Sequence, residues 1–166
     1  MLGPTVIDEM SGEAYRCVVH KDDTSDSGFT PRREIISSGS IVSKAVLKDV
    51  GMNLSELFID YVDFEWCWRA GSKGYEVGIT PNVSIVHTVG QNEMNIFGYK
   101  IILSSPIRYF YQTRNLLWLC RMEHVPRQFK IANLVKTFAR LIYFPFVPKA
   151  GFKRWHNICR GLKAGF

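Results

Sequence analysis

The 166-residue sequence has few cysteines, and none of them stands close to another. Cys17, Cys67, Cys120 and Cys159 are separated by roughly 40 to 50 positions each. Structural zinc sites and redox motifs need two cysteines within a few residues of each other. The spacing therefore excludes both kinds of site, and we expect reduced thiols in a cytosolic protein.

Signals for export and for crossing a membrane are also lacking. The first five residues have neither the basic start nor the apolar run of a signal peptide. Lys136 and Arg140 interrupt the most apolar stretch, residues 131–147, so it falls short of the roughly 18 apolar residues that span a bilayer. We expect a cytoplasmic protein that can lie on the inner face of the cell membrane without crossing it.

The net charge of +6 does not by itself select a partner. It suits phosphates, an anionic membrane surface or nucleic acid equally well. The basic residues are not interleaved with aromatic residues in a recognition motif for nucleic acid, so we expect no nucleic-acid partner.

The order of apolar and polar residues predicts an α/β protein with a helical C-terminal region. Residues 1–104 form the predicted α/β part, and residues 105–166 form the helical part. Ser43 is placed to cap a helix that stops near Gly51, and a second helix is expected from Tyr61 to Lys73. The predicted strands are Tyr15–His20, Tyr75–Thr80 and Val83–His87, the last two separated by Pro81 and Asn82.

The C-terminal pattern predicts a loop from Thr88 to Tyr99, a helix from Pro106 to about Glu123, and a further helix opened by Pro126. Residues 149–166 contain three glycines and are basic, which favours a surface segment. The helix after Pro126 alternates basic residues with a broad apolar surface. Burial of that surface within its own domain is the favoured interpretation, and attachment to anionic lipid is the alternative.

Three groups of residues are candidates for chemistry, and each has a plainer interpretation. Asp22, Asp23 and Asp26 stand in an irregular polar run, which favours a solvated loop over a metal site. Asp60, Asp63 and Glu65 cluster at a helix start, where carboxylates are common because the helix dipole stabilises them. Ser38-Gly39-Ser40 fits an ordinary connection between a strand and a helix, although its small residues also allow close approach to the backbone.

Four ordered motifs carry a resemblance to a known family. The segment from Phe58 to Ala70, followed by Lys73-Gly74-Tyr75, resembles the acidic helix motif of rhamnosyltransferase-like family-2 glycosyltransferases of bacteria. The other three motifs of the resemblance are Ser38-Gly39-Ser40 ahead of this helix, His87 within Val86-His87-Thr88-Val89-Gly90 after it, and the Tyr and Arg-Asn helix Ser105 to Asn115.

The resemblance implies the acceptor-side, C-terminal half of a GT-A-like (Rossmann-like) glycosyltransferase fold. In this family an inverting transfer moves a sugar from a nucleotide diphosphate to an acceptor hydroxyl. The implied donor is similar to dTDP-rhamnose, and the implied acceptor is a glycan or a lipid-linked glycan in polysaccharide or O-antigen synthesis. The implied cofactor is a divalent metal, Mg or Mn.

The same resemblance implies roles for individual residues. Asp63 is the implied catalytic base, because the attacking hydroxyl must lose its proton. Asp60, Glu65 and Trp66 are implied acceptor-binding residues, with helix capping as the plainer role for Asp60. Ser38, Gly39, Ser40 and Arg114 are implied to contact the donor, and a solvated charge is the plainer role for Arg114. His87 is implied as a metal ligand that faces the same site as Asp63.

Members of this family also carry a nucleotide-binding half with an aspartate metal motif, which we do not find in this sequence. We therefore expect the chain alone to bind a nucleotide sugar weakly, to expose an apolar surface where that half packs, and to pair with that half or with copies of itself. The alternative function is a non-catalytic basic module that binds a membrane or a partner protein.

Overall fold

A computed structural model describes residues 1–9, 12, 14, 28–87, 93–96, 99–147 and 150–166. The predicted strand Tyr15–His20 and the three aspartates of the predicted acidic loop lie outside the described residues. The chain divides into two compact units, Met1–Asn53 with Asp63–Gln91, and Leu54–Val62 with Asn92–Phe166. This division differs from the expected ranges 1–104 and 105–166, since residues 54–62 and 92–104 fall in the helical unit.

The first unit holds a small three-stranded sheet and two helices. Its elements are β1 (Leu2–Asp8), β2 (Thr30–Pro31), α1 (Lys44–Val50), α2 (Val62–Ser72, whose first residue falls in the other unit) and β3 (Gly78–His87). The strand order is β1-β3-β2, with β1 parallel and β2 antiparallel to β3. The mixed α/β composition and the helical C-terminal region that the sequence predicts are both confirmed.

Helix α1 begins and ends where its sequence predicts. The Ser43 side chain accepts a hydrogen bond from the Val46 amide, and Gly51 ends the helix with a φ of +88°. Helix α2 also matches its expected range within one residue at each end. The core of this unit consists of apolar side chains from both helices and their neighbours: Ile35, Val50, Trp66, Cys67, Ala70 and Val77.

The strands follow the sequence prediction less well. The two strands expected around Pro81 and Asn82 are one strand, β3, and the prediction of a break there is wrong. The register with β1 shifts after Pro4, from Thr80 to Ser84, so the intervening residues of β3 form a bulge instead of a turn. β1 itself was missed, because Gly3 and Pro4 near its start are typical of turns.

The second unit consists of a hairpin and three helices. Its elements are a 3-10 turn (Ser55–Leu57), β4 (Glu93–Ile96), β5 (Tyr99–Ile102), α3 (Pro106–Cys120), α4 (Arg127–Tyr143), a second 3-10 turn (Phe144–Phe146) and α5 (Gly151–Gly165). β4 and β5 pair antiparallel. The expected loop from Thr88 to Tyr99 therefore contains strand β4, and that prediction is wrong in part.

The last helix corrects the expected surface segment. Helix α5 buries Gly151, Arg154, Ile158, Gly161 and Gly165 on one side. A Cβ atom on Gly161 would stand 2.6 Å from the Phe110 carbonyl oxygen of α3, so only a glycine allows this approach. Two of the three glycines that favoured a surface segment, Gly161 and Gly165, instead let α5 pack against α3, and Gly151 stands against Phe144 and Val147.

Helix α4 corrects the favoured interpretation of its apolar surface. The structure leaves Ile131, Leu134, Val135, Phe138 and Ile142 exposed and buries Thr137 on the opposite side. Burial of the apolar surface within its own unit is therefore wrong for these five residues, whereas Leu141 packs against the core of the unit and the Phe129 ring contacts Tyr61. Among the described residues, no helix has both the length and the apolar character needed to cross a bilayer.

Candidate functional site

The first turn of α2 brings Asp63 into contact with the Ser-Gly-Ser segment. The Ser37 amide donates a hydrogen bond of 3.1 Å to Oδ2 of Asp63. The helix dipole of α2 adds to this interaction, because the positive end of a helix stabilises a carboxylate in its first turn. This bond orients the carboxylate, and the Asp63 side chain is partly exposed.

A tight turn presents that amide. The Ser40 amide donates to the Ser37 carbonyl over 3.0 Å, and the Ser40 hydroxyl donates to the Ile36 carbonyl over 2.7 Å. Gly39 has a φ of +70°, the backbone conformation that a turn of this kind requires and that L-residues adopt rarely. The predicted small residues thus form a turn, and Ser37, the residue before them, contacts the predicted base.

Asp63 and this turn line one cavity of about 150 Å³. Its lining combines polar and apolar side chains: Met1, Ser37, Ser40, Val42, Leu47, Met52, Asn53, Asp63 and Trp66. The Trp66 indole Nε1 donates to the Gly51 carbonyl over 2.8 Å, which fixes the ring at the wall. Sequence reasoning identified Ser40, Asp63 and Trp66 in advance. It missed Ser37, which precedes the expected turn, and Asn53, which carries no motif signal.

Glu65 lies behind this cavity and is fully buried. Its carboxylate accepts two hydrogen bonds from the Arg69 guanidinium, at 2.9 and 3.0 Å. Arg69 also donates to the carbonyls of Val50 and Met52, at 2.5 and 2.9 Å. The pair therefore joins α2 to the segment after α1 that lines the cavity. Acceptor binding by Glu65 stays a prediction, and its bonds to Arg69 are structural.

Burial also sets the chemistry of Cys67, the residue after Trp66. Loss of solvent raises the pKa of the Cys67 thiol to about 11, although its bond to the Ile35 carbonyl opposes this. The thiol is neutral at physiological pH and is not a nucleophile of the site.

Asp60 belongs to the second unit, where it forms an ion pair with Arg108 of α3. Hydrogen bonding to Asp60 raises the pKa of the Arg108 guanidinium above its ordinary value. The structure gives Asp60 this ion pair as its contact, and acceptor binding by Asp60 stays a prediction.

The backbone around Asp60 is strained. Phe58, Asp60 and Tyr61 have φ angles of 60°, 67° and 66°, a region that residues other than glycine rarely occupy. Such conformations cost about 1–3 kcal/mol each and persist only where surrounding contacts hold them. We name residues 56–61 the strained loop. It leads directly into α2, two residues before Asp63.

Asn115 of α3 donates hydrogen bonds to the backbone of this loop. It is fully buried, and its Nδ2 donates to the carbonyls of Leu57, Ile59 and Asp60 at 2.8, 2.8 and 3.2 Å. Sequence reasoning placed Asn115 in a motif but assigned it no role. The sequence did carry one signal for a structural role: Asn115 stands at a buried position of a helix, and a buried side-chain amide needs several hydrogen-bond partners.

Arg114 supports the same loop. Its Nη2 donates to the Glu56 and Leu57 carbonyls at 2.7 and 3.3 Å, and its Nε donates to Oδ1 of Asn115 at 3.0 Å. The guanidinium also lies 4.3 Å from the ring centre of Trp118. Donor binding by Arg114 stays a prediction, and these contacts are the ones that the structure gives it.

The expected metal site falls largely outside the described side chains. His87 ends β3, where its backbone pairs with Asp8, and its side chain is not among the described ones. Among the side chains that the structure does describe, no group of three His, Cys, Asp or Glu residues is arranged to hold a metal ion. The described residues alone therefore do not form a metal site, and the role of His87 stays a prediction.

Comparison with known proteins supports the resemblance that the motifs carry. No protein-family model and no solved structure matches the chain. The chain is 40% identical over 141 residues to dTDP-rhamnosyl transferase RfbF of Shigella flexneri. The alignment covers 80% of this chain and 48% of that protein. The expected relationship to rhamnosyltransferases is confirmed: the chain is a homologue of this dTDP-rhamnosyl transferase and spans about half its length.

Proposed function

We propose that the chain is the acceptor-side part of an inverting family-2 glycosyltransferase with a GT-A-like fold, and that it transfers rhamnose from dTDP-rhamnose to a glycan or lipid-linked acceptor. The Shigella homologue is a dTDP-rhamnosyl transferase, which supports dTDP-rhamnose as the donor. A nucleotide-binding half completes the donor site in this proposal. The 48% coverage of that homologue is consistent with such a half.

One observation carries the proposal. Asp63 and the Ser37–Ser40 turn, 26 residues apart in sequence at their hydrogen bond, meet at one cavity. A general base must reach the proton that it removes, and Asp63 lines the cavity with one carboxylate oxygen held by the Ser37 amide. The bond from the Ser37 amide fixes the orientation of the Asp63 carboxylate, which can then accept a proton from a hydroxyl group bound in the cavity.

The proposed reaction is a single displacement. The acceptor hydroxyl oxygen attacks the anomeric carbon of the donor while its proton passes to Asp63. The bond between that carbon and the diphosphate oxygen breaks, and dTDP leaves with the bonding electron pair. The configuration at the anomeric carbon inverts because attack and departure occur on opposite faces.

A divalent metal, Mg or Mn, remains part of the proposal, with His87 as the expected ligand from this chain. The described residues do not supply a complete ligand set, so we route no step through the metal. Calorimetry of dTDP-rhamnose binding with and without Mn²⁺ tests whether donor binding depends on the metal. Binding that is identical in the two conditions would remove the metal from the proposal.

The test of function is rhamnose transfer from dTDP-rhamnose to a lipid-linked acceptor extracted from bacterial membranes. The chain is assayed alone and mixed with the remaining half of the Shigella homologue. We expect Asp63→Asn to lower turnover by about 10²–10⁴-fold with donor binding unchanged, since a general base contributes that much. Asp49→Asn is the matched control, because Asp49 pairs with Lys73 and does not line the cavity.

Two results would contradict the proposal. One is the absence of rhamnose transfer in both preparations, and the other is near-normal turnover by Asp63→Asn. Either result would favour the alternative, a non-catalytic basic module, for which changes at Asp63 have no effect on binding to a membrane or partner.

A further inference from the structure

Helix α4 packs against its own unit with its polar side and leaves its apolar side exposed. We define the apolar face of α4 as Ile131, Leu134, Val135, Phe138 and Ile142, all of which are exposed. Val135 is 62% exposed and Phe138 is 66% exposed. These positions repeat at three- and four-residue intervals, so they form one continuous stripe along the helix. A surface helix of a protein that stays in water has the opposite arrangement.

Specific contacts on the polar side fix this orientation. Thr137 is buried, and Arg140 lies 5.2 Å from the ring centre of Tyr109 in α3. Arg140 also donates to the Gln112 side chain over 3.3 Å, and Lys130 donates to the Met122 carbonyl over 2.7 Å. Rotating α4 to bury its apolar face would break these contacts and expose their partners. The outward direction of the apolar face is therefore built into the packing.

More apolar surface continues beyond α4 in the same unit. Phe146 follows the helix in the 3-10 turn and is 84% exposed, and Phe152, the second residue of α5, is 65% exposed. The Phe152 ring stacks on Trp155, with ring centres 5.5 Å apart. Single exposed apolar residues are ordinary, but a contiguous stripe with added aromatic residues marks an interaction surface.

The charge of this region indicates the chemistry of the partner. Residues 105–166 contain twelve Lys and Arg residues and one acidic residue, Glu123. Residues 1–104 contain nine Lys and Arg residues against fourteen acidic ones. The net charge is therefore positive in the region that carries the apolar face and negative in residues 1–104. Exposed examples are Arg127 and Lys136 on α4, and Lys153, Arg160 and Lys163 on α5.

We propose that the helical unit binds an anionic lipid surface, with the apolar face of α4 inserted among the headgroups and the basic residues in contact with lipid phosphates. An apolar helix face and clustered cations together are what interfacial helices use. A second copy of the chain would bring like charges together, which makes it the poorer occupant. The proposal does not rest on the transfer reaction.

The test is co-sedimentation of the chain with vesicles of two compositions: phosphatidylglycerol mixed with phosphatidylethanolamine, and pure phosphatidylcholine. We expect binding to the anionic vesicles, and weakening as NaCl rises from about 0.1 M to about 0.5 M because salt screens the attraction. Equal binding to both compositions, or none to either, would overturn the proposal.

Matched variants assign the binding to the surface. Val135→Gln with Phe138→Ser should weaken vesicle binding by at least about tenfold, since interfacial binding scales with buried apolar area. Val83→Gln is the control, because Val83 is 56% exposed on β3 of the other unit. All three positions are exposed, so a thermal melt should show that each variant remains folded.

Charge variants complete the experiment. Changing Lys153 and Lys163 to Gln should weaken binding to anionic vesicles by about fivefold for each lysine. The same changes at Lys44 and Lys48, exposed on α1, should leave it unchanged. Equal loss in both pairs would refute the assignment. So would a chain that dimerises in light scattering, loses the dimer in the Val135 and Phe138 variant, and binds no vesicles, since the face would then join two copies.

Discussion

Replacing Asn115 with Ala should loosen the strained loop and destabilise the helical unit. The change removes the Nδ2 donor from the carbonyls of Leu57, Ile59 and Asp60. The Leu57 carbonyl keeps a bond from Arg114, so two carbonyls lose the donor that holds them. A buried polar group left unpaired costs about 1–3 kcal/mol, which gives a loss of about 2–6 kcal/mol. Relief of backbone strain offsets part of this, and we expect a net loss of about 3 kcal/mol.

Two measurements check this value. The melting temperature of the variant should fall by roughly 10 °C or more for a unit of this size. Hydrogen–deuterium exchange should accelerate in the peptide that covers residues 54–61, where the donors act. Asn157→Ala is the control, because the two bonds of the Asn157 side chain, to the Lys153 carbonyl and from Arg160, are both exposed. A loss below about 1 kcal/mol in Asn115→Ala, or unchanged exchange at 54–61, would refute the reasoning.

Three further predictions follow from the packing. Glu65→Gln should lower the free energy of unfolding of the first unit by about 3 kcal/mol, because the change leaves Arg69 without its buried carboxylate partner. Denaturant unfolding measures this loss, and a change in the KM for the acceptor with no loss of stability would contradict the prediction. Gly161→Ala should lower the melting temperature through overpacking at about 1–3 kcal/mol, whereas Gly71→Ala, with open space around it, should raise it. Because burial raises the pKa of the Cys67 thiol to about 11, the thiol should contribute to the free energy of unfolding below pH 9, and this contribution should be lost as the pH rises to about 11. Thiolate absorbance measures the titration, and ionisation of Cys67 near pH 9 in the folded protein would contradict the prediction.

Helices could be predicted from this sequence because their ends carry local signals. Ser43 and Gly51 bound α1, and Pro106 and Pro126 mark the starts of α3 and α4. Capping depends on residues within one turn of the helix end, so neighbours in sequence suffice to recognise it. Helix α5 lacks such a signal: it begins after Ala150 in a left-handed conformation and has no side-chain cap.

What could not be predicted depends on contacts between distant residues. A surface segment and a closely packed helix can both be rich in glycine, so the glycines of α5 do not tell the two apart. The contact of Gly161 and Gly165 with α3 does. The orientation of α4 is decided by Tyr109 and Gln112, which the periodicity of α4 does not include. Periodicity shows which face of a helix is apolar, but the packing decides whether that face is buried.

The candidate site could be predicted in part, for the same reason. The motifs identified Asp63, Ser40 and Trp66, all of which line the cavity. The pair of Glu65 and Arg69 was a local i, i+4 signal that points to structure, and it could have been recognised beside the expected acceptor role. Ser37 could not be singled out, because its contribution is a backbone amide that any residue supplies.

The Arg-Asn pair of α3 shows why a motif identifies a family more readily than it identifies a role. Arg114 and Asn115 both donate to backbone carbonyls of the strained loop, and backbone carbonyls carry no sequence signal. The loop needs these donors because its three left-handed residues would otherwise relax. The contacts of this motif are therefore structural ones: they hold the backbone of the strained loop, which leads in sequence into α2.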